Sequence, residues 1–346
     1  MIDVAVIGAG LAGLTCARQL QEAGYSVVVV EKSQGLGGRV ATRRFAEARA
    51  DHGLRYLENQ GPRSQQLIET LATHGILQVW TDQIHEYQDS HLALAPDNHP
   101  RFVAEPGMTA IAKFLGRDLT IWRSQLVTAI APQEDQQWSI QLKPIGNEER
   151  PPLQAKGIVV AIPAPQALAL LTPLVQHGLS ADILAGLEAV EFDPCISAIA
   201  SFPPEFAAKL DDVSWRSVSF PNDSVLKWVG LDSSKRLNAP APVIVVHSQP
   251  DFAQTWLDAT DLAAAGEQML TRAAQVLLPW LNSPQTMQVH RWRYAFTRVP
   301  HPATHMATNL PLPLVCSGDW CGGKTVESAL QSGNDAAGTI AHQLRQ

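Results

Sequence analysis

The first forty-odd residues constrain the fold more than any other stretch. Val4-Ala5-Val6-Ile7 is a short, apolar, β-branched run that reads as a buried strand. It breaks at Gly8-Ala9-Gly10-Leu11-Ala12-Gly13 and passes into a helical pattern from Leu14 to Ala23. Gly24 closes that helix, and Tyr25 to Val30 forms a second strand ending on Glu31. A G-x-G-x-x-G between strand and helix has a mechanical meaning. The glycines permit a tight turn, close approach of backbone to a pyrophosphate and close helix–strand packing, while the helix start offers unpaired N–H groups to the anion. Glu31 stands at the distance, about 20 residues on, expected of the acid that binds a ribose hydroxyl. Its charge would repel a 2′-phosphate, which argues against NADP in this position. Gly8, Gly10, Leu11, Ala12, Gly13, Glu31 and the adjoining Lys32 are therefore candidate cofactor contacts.

A second glycine turn, Gly35-Leu36-Gly37-Gly38-Arg39, follows the acid almost at once, and a plain nicotinamide-binding domain has no need of one. This order resembles the two-dinucleotide-binding flavoproteins of the amine-oxidase type. The resemblance implies FAD, with Gly37 and Gly38 near the flavin and its diphosphate and Arg39 adding positive charge. The longer string Gly37-Gly38-Arg39-Val40-Ala41-Thr42-Arg43-Arg44, followed by Asp51-His52-Gly53, resembles the renalases in particular.

The chain has 346 residues, enough for roughly two domains, and its apolar fraction of 45% allows a large core. A net charge of −7 argues against nucleic acid as a partner. Cys16, Cys195, Cys316 and Cys321 show neither C-x-x-C spacing nor a disulfide framework, which fits a reducing compartment. With a strand beginning at residue 2 and no basic segment before it, no secretory leader is expected. The most membrane-like run, Gly157 to Leu174, is interrupted by Pro163, Pro165 and Pro173, so no membrane span is expected and the cytoplasm is the predicted location.

Along the chain, Ser64–His74 reads as an amphipathic helix, and Leu77–Asn98 as short strands with polar breaks. Leu119–Trp122, Leu126–Ile130 and Trp138–Leu142 read as strands of a meander, and Ile158–Ile162 as a central parallel strand. From Gln166 to about Pro300, helical patterns (Gln166–Leu171, Ser180–Ala189, Asp261–Leu278) alternate with strands (Ile196–Ser201, Val225–Leu231, Val243–Ser248, Met287–Tyr294). That segment reads as an antiparallel sheet with helices on one side. The chain then returns through the strand Leu314–Cys316 to Gly318-Asp319 and a final helix from about Val326 to Leu344. The predicted fold is α/β. A Rossmann-type FAD-binding domain (residues 1–60, 105–165 and 300–346) would carry an inserted α+β substrate domain (residues 61–104 and 166–299).

Several residues are candidates for the chemistry. A strand ending in Gly318-Asp319 suits a carboxylate on the ribityl hydroxyls, and the helix start at Val326-Glu327 would aim N–H groups at the flavin pyrimidine edge. Val127 matches the position whose backbone meets adenine in this fold class, and equally suits a plain strand valine. His52 and Gly53 are placed to face the flavin, although Asp and His also cap turns. His247 lies in the apolar string Val245-Val246-His247-Ser248, where a lone histidine is ordinarily a core residue. That string, with Asp232-Ser233-Ser234-Lys235, recurs in renalases, and the resemblance makes His247 a substrate contact or, for an amine, a base. His290-Arg291-Trp292-Arg293-Tyr294-Ala295 is a third shared string, whose alternation sets Trp292 and Tyr294 on one face. The Trp292 indole would stack on a flat substrate ring, or else simply pack the sheet.

Amine oxidases of this fold carry an aromatic cage residue just before the helix that follows Gly-Asp, and here Thr325 occupies that place. Ser328 stands where many relatives have glycine. Cys321 is near enough to suggest a covalent flavin bond, but a small buried thiol and non-covalent FAD are the expectation. No metal-ligand spacing and no nucleophile elbow stand out. What the resemblance implies is an oxidase acting on the 2- and 6-dihydro isomers of NAD(P). Hydride would pass to flavin N5 and O2 would be reduced to H2O2, with a monomer or dimer as the working unit. The alternatives are an oxidase of an unknown amine, a desaturase of a lipophilic polyene or tetrapyrrole, and a flavin-binding protein without turnover.

Overall fold

The computed structural model describes residues 2–45 and 48–346. Its first sheet runs in the order Met306–Thr308, Leu314–Cys316, Leu153–Val160, Ile2–Ile7, Val27–Val30, Thr120–Trp122, and all but the first of these strands are parallel. Such strands are buried on both faces, which is why they read as unbroken β-branched runs. An antiparallel meander, Gln125–Pro132 and Trp138–Pro144, joins through Leu153↔Ile140.

Register decides where a ligand can sit. Ile7 lies opposite both Val30 and Val160, and Val160 opposite Cys316. The turn at Gly8, the acid Glu31 and the stretch Ser317-Gly318-Asp319 therefore leave the sheet at one edge. That carboxyl edge, outside the strand ends, is where open α/β sheets bind ligands. The helices Leu11–Glu22 and Val326–Gln343 pack together on one face, closely enough that a Cβ on Gly333 would stand 2.3 Å from the Ala12 carbonyl oxygen. The meander and the helices Ala164–Leu171 and Ala181–Glu188 cover the other face.

A second sheet has seven strands in the order Thr286–Val299, Glu191–Ser201, Val243–Ser248, Leu226–Leu231, Ser217–Ser219, Leu77–Gln88, His91–Ala104. Alternation sorts its residues: Ile196, Ala198, Ile244 and Val246 meet Met269, Leu270 and Ala273 of the helix Ala263–Val276, while Ile199, Val243 and Val245 join the core shared with the first sheet.

Three features differ from the sequence expectation. The region 77–104 forms two long strands joined at Asp89-Ser90, both with positive φ (51° and 63°), in place of several short ones. Much of its outer half is exposed, Leu92 and Leu94 included, so no buried face imposes an alternation there. The sheet is also not wholly antiparallel, since Val218 pairs in parallel with His85. A hairpin, Thr42–Phe45 with Ala48–Asp51, was not foreseen; it carries Asp51 inward. Among the described residues no helix is long and apolar enough to cross a membrane.

Candidate functional site

The two glycine turns form one cradle. Gly8 has φ of +106°, and a Cβ there would meet the Ala161 carbonyl oxygen at 2.5 Å; one on Gly13 would lie 2.1 Å from the Gly8 carbonyl oxygen. Both are fixed by packing. Gly10 is different, because a Cβ there would meet nothing within 4 Å. It opens toward the space above the helix Leu11–Glu22, whose N-terminus has no side-chain cap and no acid in its first turn. The second turn docks here: Gly37 N–H donates to the Ala9 carbonyl (2.9 Å), and the Gly38 Cβ position is 3.7 Å from Gly10 Cα. Glu31 is already oriented, accepting from Ala9 N–H and Ser33 N–H at 2.8 Å each. Uncapped helix dipole, open glycine and fixed carboxylate together fit the pyrophosphate and ribose of FAD. Lys32 is exposed beside them, and Val127 packs at the edge of the apolar cluster behind the sheet.

Arg39 and Asp319 form an ion pair, Nη2 to Oδ1 at 2.5 Å, and Arg39 also donates to the Ala295 carbonyl (3.3 Å). The last helix starts at Val326, as expected, and its first turn is tied to a distant segment. Thr325 and Ser328 cap it reciprocally, Val326 N–H donates to Gln60 Oε1 (3.1 Å), and the Glu327 carboxylate accepts from Arg63 N–H (3.0 Å) and Ser64 N–H (2.6 Å). The Glu327 carboxylate thus caps the helix Pro62–Thr73. Ser328 Oγ donates to the Asp319 carbonyl (2.9 Å), so the serine has a local use where relatives have glycine. Cys321 is fully buried in the apolar cluster behind the sheet.

His52, His247 and Trp292 converge. The His52 carbonyl accepts from Trp292 Nε1–H (3.0 Å) and from His247 Nε2–H (3.2 Å), and the His52 ring stacks on the indole at 5.2 Å between centroids. Gly53 makes this possible, since a Cβ there would lie 2.0 Å from the Arg39 carbonyl oxygen. Strand register supplies the rest of the wall: Trp292 lies opposite Cys195, and His247 lies opposite Ser197 and Trp228. Arg291 and Arg293 point the other way, to carbonyls of residues 256–259.

Sequence reasoning missed Arg55. Its Nε donates to His247 Nδ1 (3.2 Å), which leaves the imidazole as the Nε2–H tautomer with both nitrogens engaged. Burial, then the Arg55 charge, holds His247 well below the ordinary histidine range, so the ring is neutral. His52 is lowered to about 4 by burial, His290 and Arg43; His290 is lowered to about 4 by burial, Arg43 and Arg291. Also missed was a buried quartet behind the wall. Lys235 Nζ is 2.7 Å from Asp232 and 3.5 Å from Asp51, and Arg236 is 2.8 Å from Asp232 and 2.9 Å from Asp51. Burial would raise the Asp51 carboxyl, but Lys235, Arg236, the Thr42 hydroxyl and Met108 N–H hold it below the usual range. Asp232 is pushed up by burial despite Lys235. The quartet fixes Asp51, and through it His52 and Gly53. Only the string Asp232–Lys235 signalled it.

Comparison with known proteins agrees with this arrangement. The profile of flavin containing amine oxidoreductases matches residues 82–341, and that of the NAD(P)-binding Rossmann-like domain residues 6–71. A flavin-dependent L-tryptophan oxidase of Lentzea aerocolonigenes is 54% identical over 44 residues, which is 13% of this chain and 9% of that protein's length. A cofactor-binding redesign of putrescine oxidase superposes with a TM-score of 0.73 over 98% of both chains at 14% identity. Cyclohexylamine oxidase from Brevibacterium oxydans superposes with a TM-score of 0.72 over 100% of both chains at 14% identity. At such identities the structural likeness speaks for the fold alone.

Proposed function

This chain belongs to the flavin-containing amine oxidoreductases, whose cofactor is FAD, and on that premise we propose that it is an oxidase of the renalase type. Its substrates are the 2- and 6-dihydro isomers of NAD(P), which it returns to NAD(P)+. Bound non-covalently, FAD supplies the hydride acceptor at N5 and delivers the electron pair to O2 as H2O2. The reading assigns residues 1–60, 105–165 and 300–346 to the flavin and residues 61–104 and 166–299 to the substrate, and places the protein in the cytoplasm.

The observation that carries the reading is the locked wall of His52, Trp292 and His247. Its His52 and Trp292 rings lie within 29° of parallel, its histidines are uncharged at neutral pH, and its hydrogen bonds are internal. Such a surface suits a neutral dihydropyridine ring, which needs placement more than proton transfer. Trp292 supplies the stacking face. His247 acts as a positioning residue: with both nitrogens engaged, it holds the His52 carbonyl and so the orientation of the indole. Thr325 supports the same reading, because its hydroxyl is committed to a helix cap where an amine oxidase would present an aromatic ring.

An amine oxidase is the second reading, favoured by the family match itself. The two separate by anaerobic bleaching of the flavin absorbance. Fast bleaching by borohydride-reduced NAD, and none by a panel of amines or by ordinary NADH, is the expected result. Bleaching by an amine alone would transfer the protein to the second reading.

A further inference from the structure

Arg55 is a half-buried cation that no carboxylate among the described residues contacts directly, although the Glu58 charge acts on it from a distance. Its Nε is engaged by His247, its guanidinium carbon lies 5.0 Å from the Trp228 ring centre, and its Nη2 is shut off from solvent with no hydrogen-bond partner. Among the described residues no carboxylate forms an ion pair with it. The quartet nearby is a contrast, since its two carboxylates and two cations are matched within hydrogen-bonding reach. Lys227 repeats the Arg55 pattern. Its Nζ lies 5.2 Å from the Phe296 ring centre, it has no ion pair among the described residues, and its pKa is lowered by burial and then by the Arg55 charge. Two unmatched cations therefore share one patch of the sheet, beside His247 and Trp228.

Leaving a guanidinium donor desolvated and unpaired is unfavourable, and its fork matches the two oxygens of a carboxylate or phosphate. We propose that Arg55, backed by Lys227, is an oxyanion subsite beside the His52–Trp292–His247 wall, so that the substrate carries a phosphate or carboxylate alongside its oxidisable ring. The proposal rests on taking the His52–Trp292–His247 wall as the substrate side. A dihydronicotinamide nucleotide would present a phosphate, and an amino acid a carboxylate. The same patch would disfavour a simple cationic amine.

The test needs no turnover, so it stands or falls apart from the identity of the electron donor. Oxidised, FAD-loaded protein is titrated with benzoate, phenyl phosphate and neutral benzamide, followed by the flavin difference spectrum and by calorimetry. At least one anion is expected to bind tenfold or more tightly than benzamide, and the tighter anion distinguishes carboxylate from phosphate. Arg55→Met should abolish that preference and Lys227→Met should reduce it. Arg55→Lys, which keeps the charge and loses the fork, should retain part of it and serves if Arg55→Met does not fold. Equal binding of anions and benzamide would overturn the subsite, as would a preference unchanged in the variants. An Arg55→Met protein that sheds FAD, yet keeps the preference in its loaded fraction, would assign the guanidinium to the flavin and also overturn it.

Discussion

Arg39 Nη2 lies 2.5 Å from Asp319 Oδ1, joining the second glycine turn to the end of a strand 280 residues later. Both ends of the chain meet at the cofactor cradle through this pair. It is partly exposed, so its contribution to folding is about 1 kcal/mol or less. Its larger effect falls on FAD, because the two side chains position each other at the flavin end. Asp319→Asn should weaken FAD binding by about 10- to 100-fold, on the scale of one charge-assisted hydrogen bond, with little change in unfolding free energy. Fluorescence titration of the apoprotein with FAD measures this. An unchanged Kd would remove Asp319 from the cofactor site.

His247 links Arg55 to the His52 carbonyl. His247→Ala leaves Arg55 Nε without its partner and the His52 carbonyl with Trp292 alone, and should cost about 1–3 kcal/mol of stability. The rate of flavin reduction by the true donor should fall at least tenfold, since small losses of alignment cost about that much or more. Stopped-flow reduction of the FAD-loaded variant checks it, and reductive kinetics equal to wild type would sink the positioning role.

The neutral histidines set an acid limit. His52 and His290 both titrate near 4 in the folded chain, against an ordinary 6.5, so the unfolded chain binds more protons between those values. The stabilisation is fully present above about pH 6.5 and is lost as pH falls toward 4. For His52 the loss is roughly 3 kcal/mol across that window; His290, only half-buried, contributes less. Urea unfolding at pH 7.5, 6, 5 and 4.5 should show the decline, and His52→Gln should flatten it. A slope unaffected by that substitution would contradict the assignment.

The buried quartet makes a sharper stability prediction. Lys235→Met leaves Asp51 and Asp232 with Arg236 alone, and removal of one partner from a buried ionic cluster costs about 3–5 kcal/mol. Thermal unfolding reads the loss directly. Replacing Asp232 and Lys235 together, by Leu and Met, should recover a large part of it, and a double variant no better than the single would show that the charges act separately.

How much of this was legible in the sequence depended on range. The turn at Gly8–Gly13 and the acid Glu31 are local, with glycine, helix period and strand period all agreeing within thirty residues. The strings around His52, His247 and Trp292 marked residues that the fold brings together, but their common partner is a backbone carbonyl, which no side-chain pattern reveals. Arg55 sits in no motif, and its meaning arises only when strand pairing brings Trp228 and His247 beneath it. Asp51 and Arg236 meet across 185 positions, and each alone looks like a surface charge. At Val326 and Glu327 the helix was foreseen while its cap was not, because Gln60, Arg63 and Ser64 come from a distant turn.

Gly10 and Gly13 separate folding from cofactor binding within one motif. At Gly13 a Cβ would stand 2.1 Å from the Gly8 carbonyl oxygen, so Gly13→Ala must displace the turn or the helix and should unfold much of the N-terminal sheet. At Gly10 a Cβ meets no protein atom within 4 Å, and its φ of −77° and ψ of −180° are open to alanine. Gly10→Ala should therefore fold with an apoprotein stability within about 1 kcal/mol of wild type, the usual cost of alanine at a helix N-cap. The added methyl would instead occupy the space through which a pyrophosphate approaches the helix N–H groups, and FAD affinity should fall by about 100-fold or more. Thermal unfolding of the apoproteins and FAD titration, run on both variants, give the two readings. A Gly10→Ala protein that retains FAD with wild-type affinity would mean that the pyrophosphate does not lie on this turn.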